Sequence, residues 1–223
     1  MRFSSVPLIA LTALAVSTAV SPADDSALKT LRKVLSSPLV DEGSEPDGCT
    51  PAVNGFGGPS AWEVRLERLL LDGKALVEST KQAVQYRFPL CISDLPLAKN
   101  AEVALPFVLH DGGMARVAGI VLRFADPQDF YAVEADAIEG RVRFLRIVNG
   151  VRREITSRAA ELFVGRAQTL GIRANDDSFG VSLDGRALFE VRDRAIMEAG
   201  RFGIWSRSDS LTSFGDLFIT TQD

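Results

Sequence analysis

The stretch AGIVLRFADPQDFYAVEADAIEGRVRFLRIVNGVRREIT, residues 118–156, decides the fold. Its apolar residues return at every second position, and Val, Ile, Phe and Tyr dominate the runs. Period two puts successive side chains on opposite faces of a strand. The runs are broken at Asp126-Pro127, Glu139-Gly140 and Asn149-Gly150. A type I′ turn needs positive φ at both central residues, which Asn-Gly supplies with little strain, so 141–156 reads as a hairpin. Asp184-Gly185 gives the same signal further on. Working outward, WEVRL, ALVES, FPLCI and EVALPFV precede the stretch, and AQTLGIRA, FGVSL, ALFEV, RFGIWSR and SLTSFGDLFI follow it. About a dozen such runs at intervals of roughly ten residues predict an antiparallel sandwich of two sheets. No strand–helix alternation and no internal repeat interrupts the pattern, so 61–223 reads as one all-β domain.

Upstream of Ala61 the pattern is different. Residues 1–23, MRFSSVPLIALTALAVSTAVSPA, carry Arg2 as their only charge, an apolar run from Val6 to Val16, and small residues at Ser17/Ala19 and Ser21/Ala23. That is the anatomy of a cleaved secretory signal peptide. The apolar run falls short of the roughly 20 residues a membrane-spanning helix needs, so the expectation is a periplasmic or extracellular protein with no membrane span after cleavage. Residues 25–36, DSALKTLRKVLS, place Leu28, Leu31, Val34 and Leu35 at helical spacing and predict a short amphipathic helix that packs on the body or on an envelope partner. Residues 37–60 are punctuated by Pro38, Pro46, Pro51, Pro59 and several glycines, and read as an irregular loop.

Composition narrows the function classes. Of 223 residues, 46% are hydrophobic and 24% charged, enough apolar material for a sizeable core. The net charge of −4 argues against nucleic acid as a partner. With one histidine and two cysteines, a zinc site of the usual kind has nothing to be built from. In an oxidising compartment the expected state of Cys49 and Cys91 is a disulfide; the alternative is two separate thiols, with Cys91 filling core space.

The order of segments RFPL (87–90), AGIVLRF with DPQDFYAVEADA (118–137), RVRFLRIVNG (141–150), LGIRANDDSFGVSLDGRALFEV (170–191) and AGRFGIWSRSDSLTSFGDL (199–217) resembles the concanavalin A-like lectin/glucanase superfamily. Within it, the chain is most similar to bacterial exported laminin-G-like domains and the 3-keto-disaccharide hydrolase domain related to family 16 glycoside hydrolases. The resemblance spans residues 61–220. It implies a jelly roll of two curved sheets with ligands on the concave face or rim loops, and no cofactor.

Two constellations carry chemistry. Glu134, Asp136 and Glu139 match the E-x-D-x-x-E spacing of family 16 hydrolases, departing from it at Ala135, and make Glu134 and Asp136 the catalytic candidates. By period two these share a face, whereas Glu139 falls on the other unless a bulge intervenes. Second, Arg123, Phe130, Trp205 and Arg207 are expected on that same face, where an aromatic plate flanked by guanidinium and carboxylate groups binds sugars. The competing expectation is that Arg123 pairs with Glu134 across strands and Trp205 fills the core. Asp126, Asp129, Asp209 and Asp216 are too dispersed to predict a calcium site, and His110 lacks the nucleophile elbow a hydrolase triad would need. The sequence reading is therefore an exported carbohydrate-binding jelly-roll module. Glycoside cleavage is the alternative, and a structural envelope protein acting through 25–36 is the third reading.

Overall fold

A computed structural model of the chain describes residues 42–94 and 96–221, together with the backbone of Arg32–Lys33. In chain order the strands begin with β1 (Arg32–Lys33), β2 (Cys49–Gly55), β3 (Trp62–Leu66), β4 (Lys74–Glu78), β5 (Arg87–Ser93), β6 (Ala101–Asp111), β7 (Val117–Asp126) and β8 (Asp129–Asp136). They continue with β9 (Arg141–Val148), β10 (Val151–Ala159), β11 (Ala167–Asn175), β12 (Ser178–Leu183), β13 (Arg186–Arg192), β14 (Arg201–Trp205), β15 (Leu211–Phe214) and β16 (Phe218–Thr221). A seven-stranded sheet runs β10-β9-β8-β7-β14-β5-β2; a nine-stranded one runs β13-β12-β11-β6-β15-β4-β3, with β16 paired to β6 and β1. All strand pairings within both sheets are antiparallel.

Alternation builds the space between the layers. Ile120 and Leu122 of β7, Tyr131 and Val133 of β8 and Phe144 of β9 meet Leu105 and Phe107 of β6, Ile172 of β11 and Phe179 of β12. The rings of Tyr131, Phe144 and Phe179 form a triangle with centroids 4.8 to 5.2 Å apart, each such pair adding about 0.5–1.5 kcal/mol beyond area burial. Polar ties join the sheets at one end. Trp62 Nε1 of β3 donates to the Leu90 carbonyl of β5 at 3.0 Å. Arg87 of β5 pairs with Glu78 of β4 at 2.9 Å, both side chains almost fully buried.

Both expected hairpin turns form. Asn149 and Gly150 take φ of 51° and 73°, and Asp184 and Gly185 take 51° and 74°, the left-handed pair a type I′ turn demands. Two expectations are corrected. Within the stretch read as an irregular loop, Cys49–Gly55 is a strand, pairing with β5 from Cys49↔Ser93 to Gly55↔Arg87. Pro51 misled the reading: β2 is the edge of its sheet, where a missing N–H need not break a ladder. The sandwich therefore begins before Ala61. Of the helix expected over 25–36, only Arg32–Lys33 falls within the described residues, and these two run as a strand against Ile219 and Phe218. The remainder of that segment and the leader expected over 1–23 lie outside the described residues. Cys49 and Cys91 are joined, with Cα atoms 5.4 Å apart, linking β2 to β5.

Candidate functional site

Half of the side chains of the seven-stranded sheet point away from the nine-stranded one, and over its inner strands most of these too are buried, whereas those of the edge strands β10 and β2 are mostly open or half-buried. Phe88, Leu90, Val117, Val121, Phe130, Leu145 and Trp205 belong to a second apolar cluster on this outer face. Pairing registers lay out one transverse row across it: Leu90, Trp205, Gly119, Glu134, Arg143. Gly119 makes the row possible, because a Cβ there would stand 2.7 Å from Trp205 Cδ1 and 2.6 Å from the Val133 carbonyl oxygen. The indole lies across the gap and its Nε1 donates to Glu134 Oε2 at 2.7 Å. Phe88 stacks on the indole at 4.7 Å with planes 17° apart, and the Arg152 guanidinium covers Phe88 at 5.0 Å.

Beside this stack, acids and arginines converge. Glu134 Oε1 faces Arg143 Nε at 3.2 Å, Arg152 at 3.7 Å and Arg207 at 3.9 Å. Asp136 Oδ2 is 3.4 Å from both Arg143 and Arg207. Asp136 Oδ1 accepts from the backbone N–H groups of Ile138 at 2.9 Å and Glu139 at 3.2 Å. That turn swings Glu139 back over the sheet, to 2.7 Å from Arg143 and 3.6 Å from Arg207. Burial works against the Arg143 cation, yet Glu134, Glu139 and Asp136 together hold its pKa above the ordinary arginine value. The hydrogen bond from Arg143 outweighs burial at Glu139 and keeps that carboxyl below its usual range. Arg152 is shifted down, by burial first; Glu134 opposes the shift, while the neighbouring Arg207 and Arg143 cations add to it. Glu134 and Asp136 lie at the bottom of the cluster, whereas Arg152, Arg207, Glu139 and Glu154 are partly open to solvent.

The structure brings Glu134, Asp136, Phe130, Trp205 and Arg207 of the sequence-predicted set to one face. Arg123 is not among them. Strict alternation would carry it to the outer face with Val121, but it takes φ of 50° inside the register shift between Leu122 and Asp126. This bulge turns its guanidinium toward the interlayer core, 4.8 Å from the Phe179 ring, where it donates to the carbonyls of Lys99, Ile196 and Asp176. Next to it, burial and the Asp193 hydrogen bond raise the Tyr131 phenol to about 12. Arg123 therefore pairs with backbone oxygens rather than with Glu134, and has a structural post. Glu139 reaches the site by the Asp136 turn rather than from a strand face. Trp205 is present but roofed by Phe88, so its ring is no open plate for stacking. Sequence reasoning missed Phe88, Arg143 and Arg152. In RVRFLRIV the alternating arginines read as a solvated face, and only the pairing Glu134↔Arg143 shows that one of them is enclosed.

Glu134 Oε2 accepts from Trp205 and both Asp136 oxygens accept from the protein itself, while Glu134 Oε1 is enclosed beside the guanidinium groups without a hydrogen bond. Recognition of hydroxyls is the chemistry this arrangement offers. The other candidates resolve into local structure. Asp209 accepts from the backbone N–H groups of Gly113, Met114 and Ala115, and Asp126 and Asp129 accept from those of Gln128 and Asn149. Among the described residues no group of three or more His, Cys, Asp or Glu could hold a metal ion. His110 meets Ser213 Oγ and Glu67 Oε2, both at 2.9 Å, through the same Nε2 atom. A triad needs the two partners on opposite ring nitrogens. A groove of about 840 Å³ also crosses the outer face of the nine-stranded sheet, lined by Ala104, Gly171, Arg173, Gly180, Ser182 and Phe218 among others. Its Arg173 is paired to Glu102 at 2.6 Å.

No family model and no curated protein matches the chain. Solved structures do. The chain is similar to the carbohydrate binding module CBM66 from Bacillus subtilis, with a TM-score of 0.60 and 20% identity over 78% of this chain and 96% of that one. It is similar to the metal-free exoplasmic/lumenal domain of VIP36, with a TM-score of 0.59 and 12% identity over 87% of this chain and 94% of that one. A β-glucanase of Bacillus licheniformis follows the same course, with a TM-score of 0.50 and 8% identity over 79% and 94%. At these identities the likeness establishes architecture: the chain has the concanavalin A-like jelly-roll fold.

Proposed function

We propose that this protein is an exported carbohydrate-binding module whose saccharide docks on the outer face of the seven-stranded sheet, above β8, β9 and β10. The observation that carries the reading is the convergence of Glu134, Asp136 and Glu139 with Arg143, Arg152 and Arg207 on one face of a jelly roll. Paired acids and guanidinium groups present acceptors and donors side by side, which is what sugar hydroxyls require. The likeness to a carbohydrate binding module from Bacillus subtilis supports it. Export rests on the leader-like residues 1–23 and is in keeping with the Cys49–Cys91 bond.

A glycan array probed with the wild type and two variants tests the reading. Arg207→Ala, at the partly open rim, is expected to lower binding by about tenfold or more at a cost of only about 1 kcal/mol in stability, because Asp136 keeps Arg143 and two backbone donors. Arg123→Met is expected to do the reverse, keeping binding and losing about 2 kcal/mol of stability as three partly buried carbonyls lose a charged donor. Equal binding by wild type and Arg207→Ala would place the ligand elsewhere.

A further inference from the structure

At the bottom of the charged cluster, two buried atoms lack a hydrogen bond. Glu134 Oε1 and Arg143 Nε are enclosed, and although 3.2 Å apart they are not aligned to bond each other. The rest of each group is engaged: Glu134 Oε2 accepts from Trp205, and Arg143 reaches Glu139 at 2.7 Å. A buried acceptor and a buried donor side by side, both unmet, form a slot of defined polarity. The mouth of the slot is loosely built. Arg152 stands 3.7 Å from Glu134, and Arg207 stands 3.4 Å from Asp136 and 3.6 Å from Glu139. These distances exceed the 2.7–3.0 Å or so of a well-formed hydrogen bond. Both arginines are long side chains at a partly open rim, so a change of rotamer admits a small polar group between them and the acids.

The chemical class of that group follows from its complement. A hydroxyl donates one hydrogen bond and accepts others, so a single hydroxyl can give its proton to Glu134 Oε1 and take one from Arg143 Nε. A carboxylate or sulfate only accepts; in the slot it would be pressed against Glu134 and Asp136. An ammonium only donates, and would sit among Arg143, Arg152 and Arg207. With Glu154 beside Arg143 and Arg141 acting on Glu139, four acids face four arginines, so neither sign of charge is in demand.

Resting on the carbohydrate-binding reading, we infer that this site selects uncharged sugars, through a hydroxyl that enters past the rim arginines and bridges Glu134 Oε1 and Arg143 Nε from one side, and rejects uronate and amino-sugar counterparts.

The test uses the full secreted protein and matched gluco-, galacto- and manno-configured oligosaccharides, each as the neutral form, the uronate form and the amine form. Binding is expected for neutral members, about tenfold or more tighter than for either charged counterpart of the same series. It should also stay nearly constant as sodium chloride rises from about 50 mM to about 0.5 M. Glu134→Gln, which can donate as well as accept, is expected to shrink the penalty against the uronate form. Should that variant fail to fold, the salt series on the wild type carries the same decision. A uronate or amine form bound as tightly as its neutral partner, or affinity that falls steeply with salt, overturns the inference and leaves the carbohydrate-binding reading standing. Silence across the whole set overturns both.

Discussion

At the scale of single residues, Gly119 decides more than its size suggests. It sits beneath the indole of Trp205 and is paired with Glu134 on the next strand, so the hydrogen bond from Trp205 to Glu134 crosses directly over it. A methyl group there meets the Val133 carbonyl oxygen at 2.6 Å, a backbone atom that cannot swing aside. The indole must lift, and Glu134 Oε2 then loses its donor while staying buried. Gly119→Ala is expected to lower stability by about 1–3 kcal/mol from overpacking alone, with the unmet carboxylate adding to that. Denaturant unfolding followed by circular dichroism measures it, and a loss below about 0.5 kcal/mol would show that the indole has room to spare. No sequence pattern announces this role. A glycine in a strand reads as a weak point, and only the register across three strands turns it into the berth of a tryptophan.

At the scale of elements, what the sequence made legible was whatever depends on neighbours along the chain. The Asn149-Gly150 and Asp184-Gly185 hairpins and the alternation of β7, β8 and β9 follow from turn chemistry and period two alone. The misreadings arise where pairing partners override the local signal. Pro51 is tolerated because β2 is an edge, Arg123 changes face because β7 bulges, and Glu139 returns because Asp136 caps its turn. The candidate site was therefore half visible: its acids could be placed, but three of its partners could not. The edge position of β2 also sets the role of the Cys49–Cys91 bond. That strand is held on one side only, and the bond closes a separation of 42 residues. The chain-entropy model assigns such a closure about 4 kcal/mol. Replacing both cysteines by serine and alanine is expected to lower stability by up to that amount. Hydrogen exchange should become faster in β2 and at the Cys91 end of β5 while the β11–β12 ladder is unchanged. Equal exchange throughout would mean that the sandwich loses stability as a whole rather than at this edge.

At the scale of the whole molecule, the charged cluster fastens together parts of one sheet that are distant in the chain. Arg207, beyond β14, reaches Asp136 71 residues away on β8, and Arg143 and Arg152 come from β9 and the edge strand β10. Its pH dependence can be followed at Glu139, which lies at the exposed rim. The carboxyl of Glu139 is held below its ordinary value, chiefly by the Arg143 hydrogen bond. A folded-state pKa below the unfolded one means that the unfolded chain takes up protons first as pH falls. The stabilisation from Glu139 is therefore complete above the unfolded value of about 4.3 and disappears as pH drops through the lower folded value. Because the side chain is partly exposed, the amount is small, under about 1 kcal/mol. Wild type and Glu139→Gln, unfolded in urea across that range, are expected to differ at neutral pH and to converge below about pH 4. A gap that persists at the acid end would show that Glu139 holds its turn by shape rather than by charge, and that Arg143 draws its hold on the cluster from Glu134 and Asp136 alone.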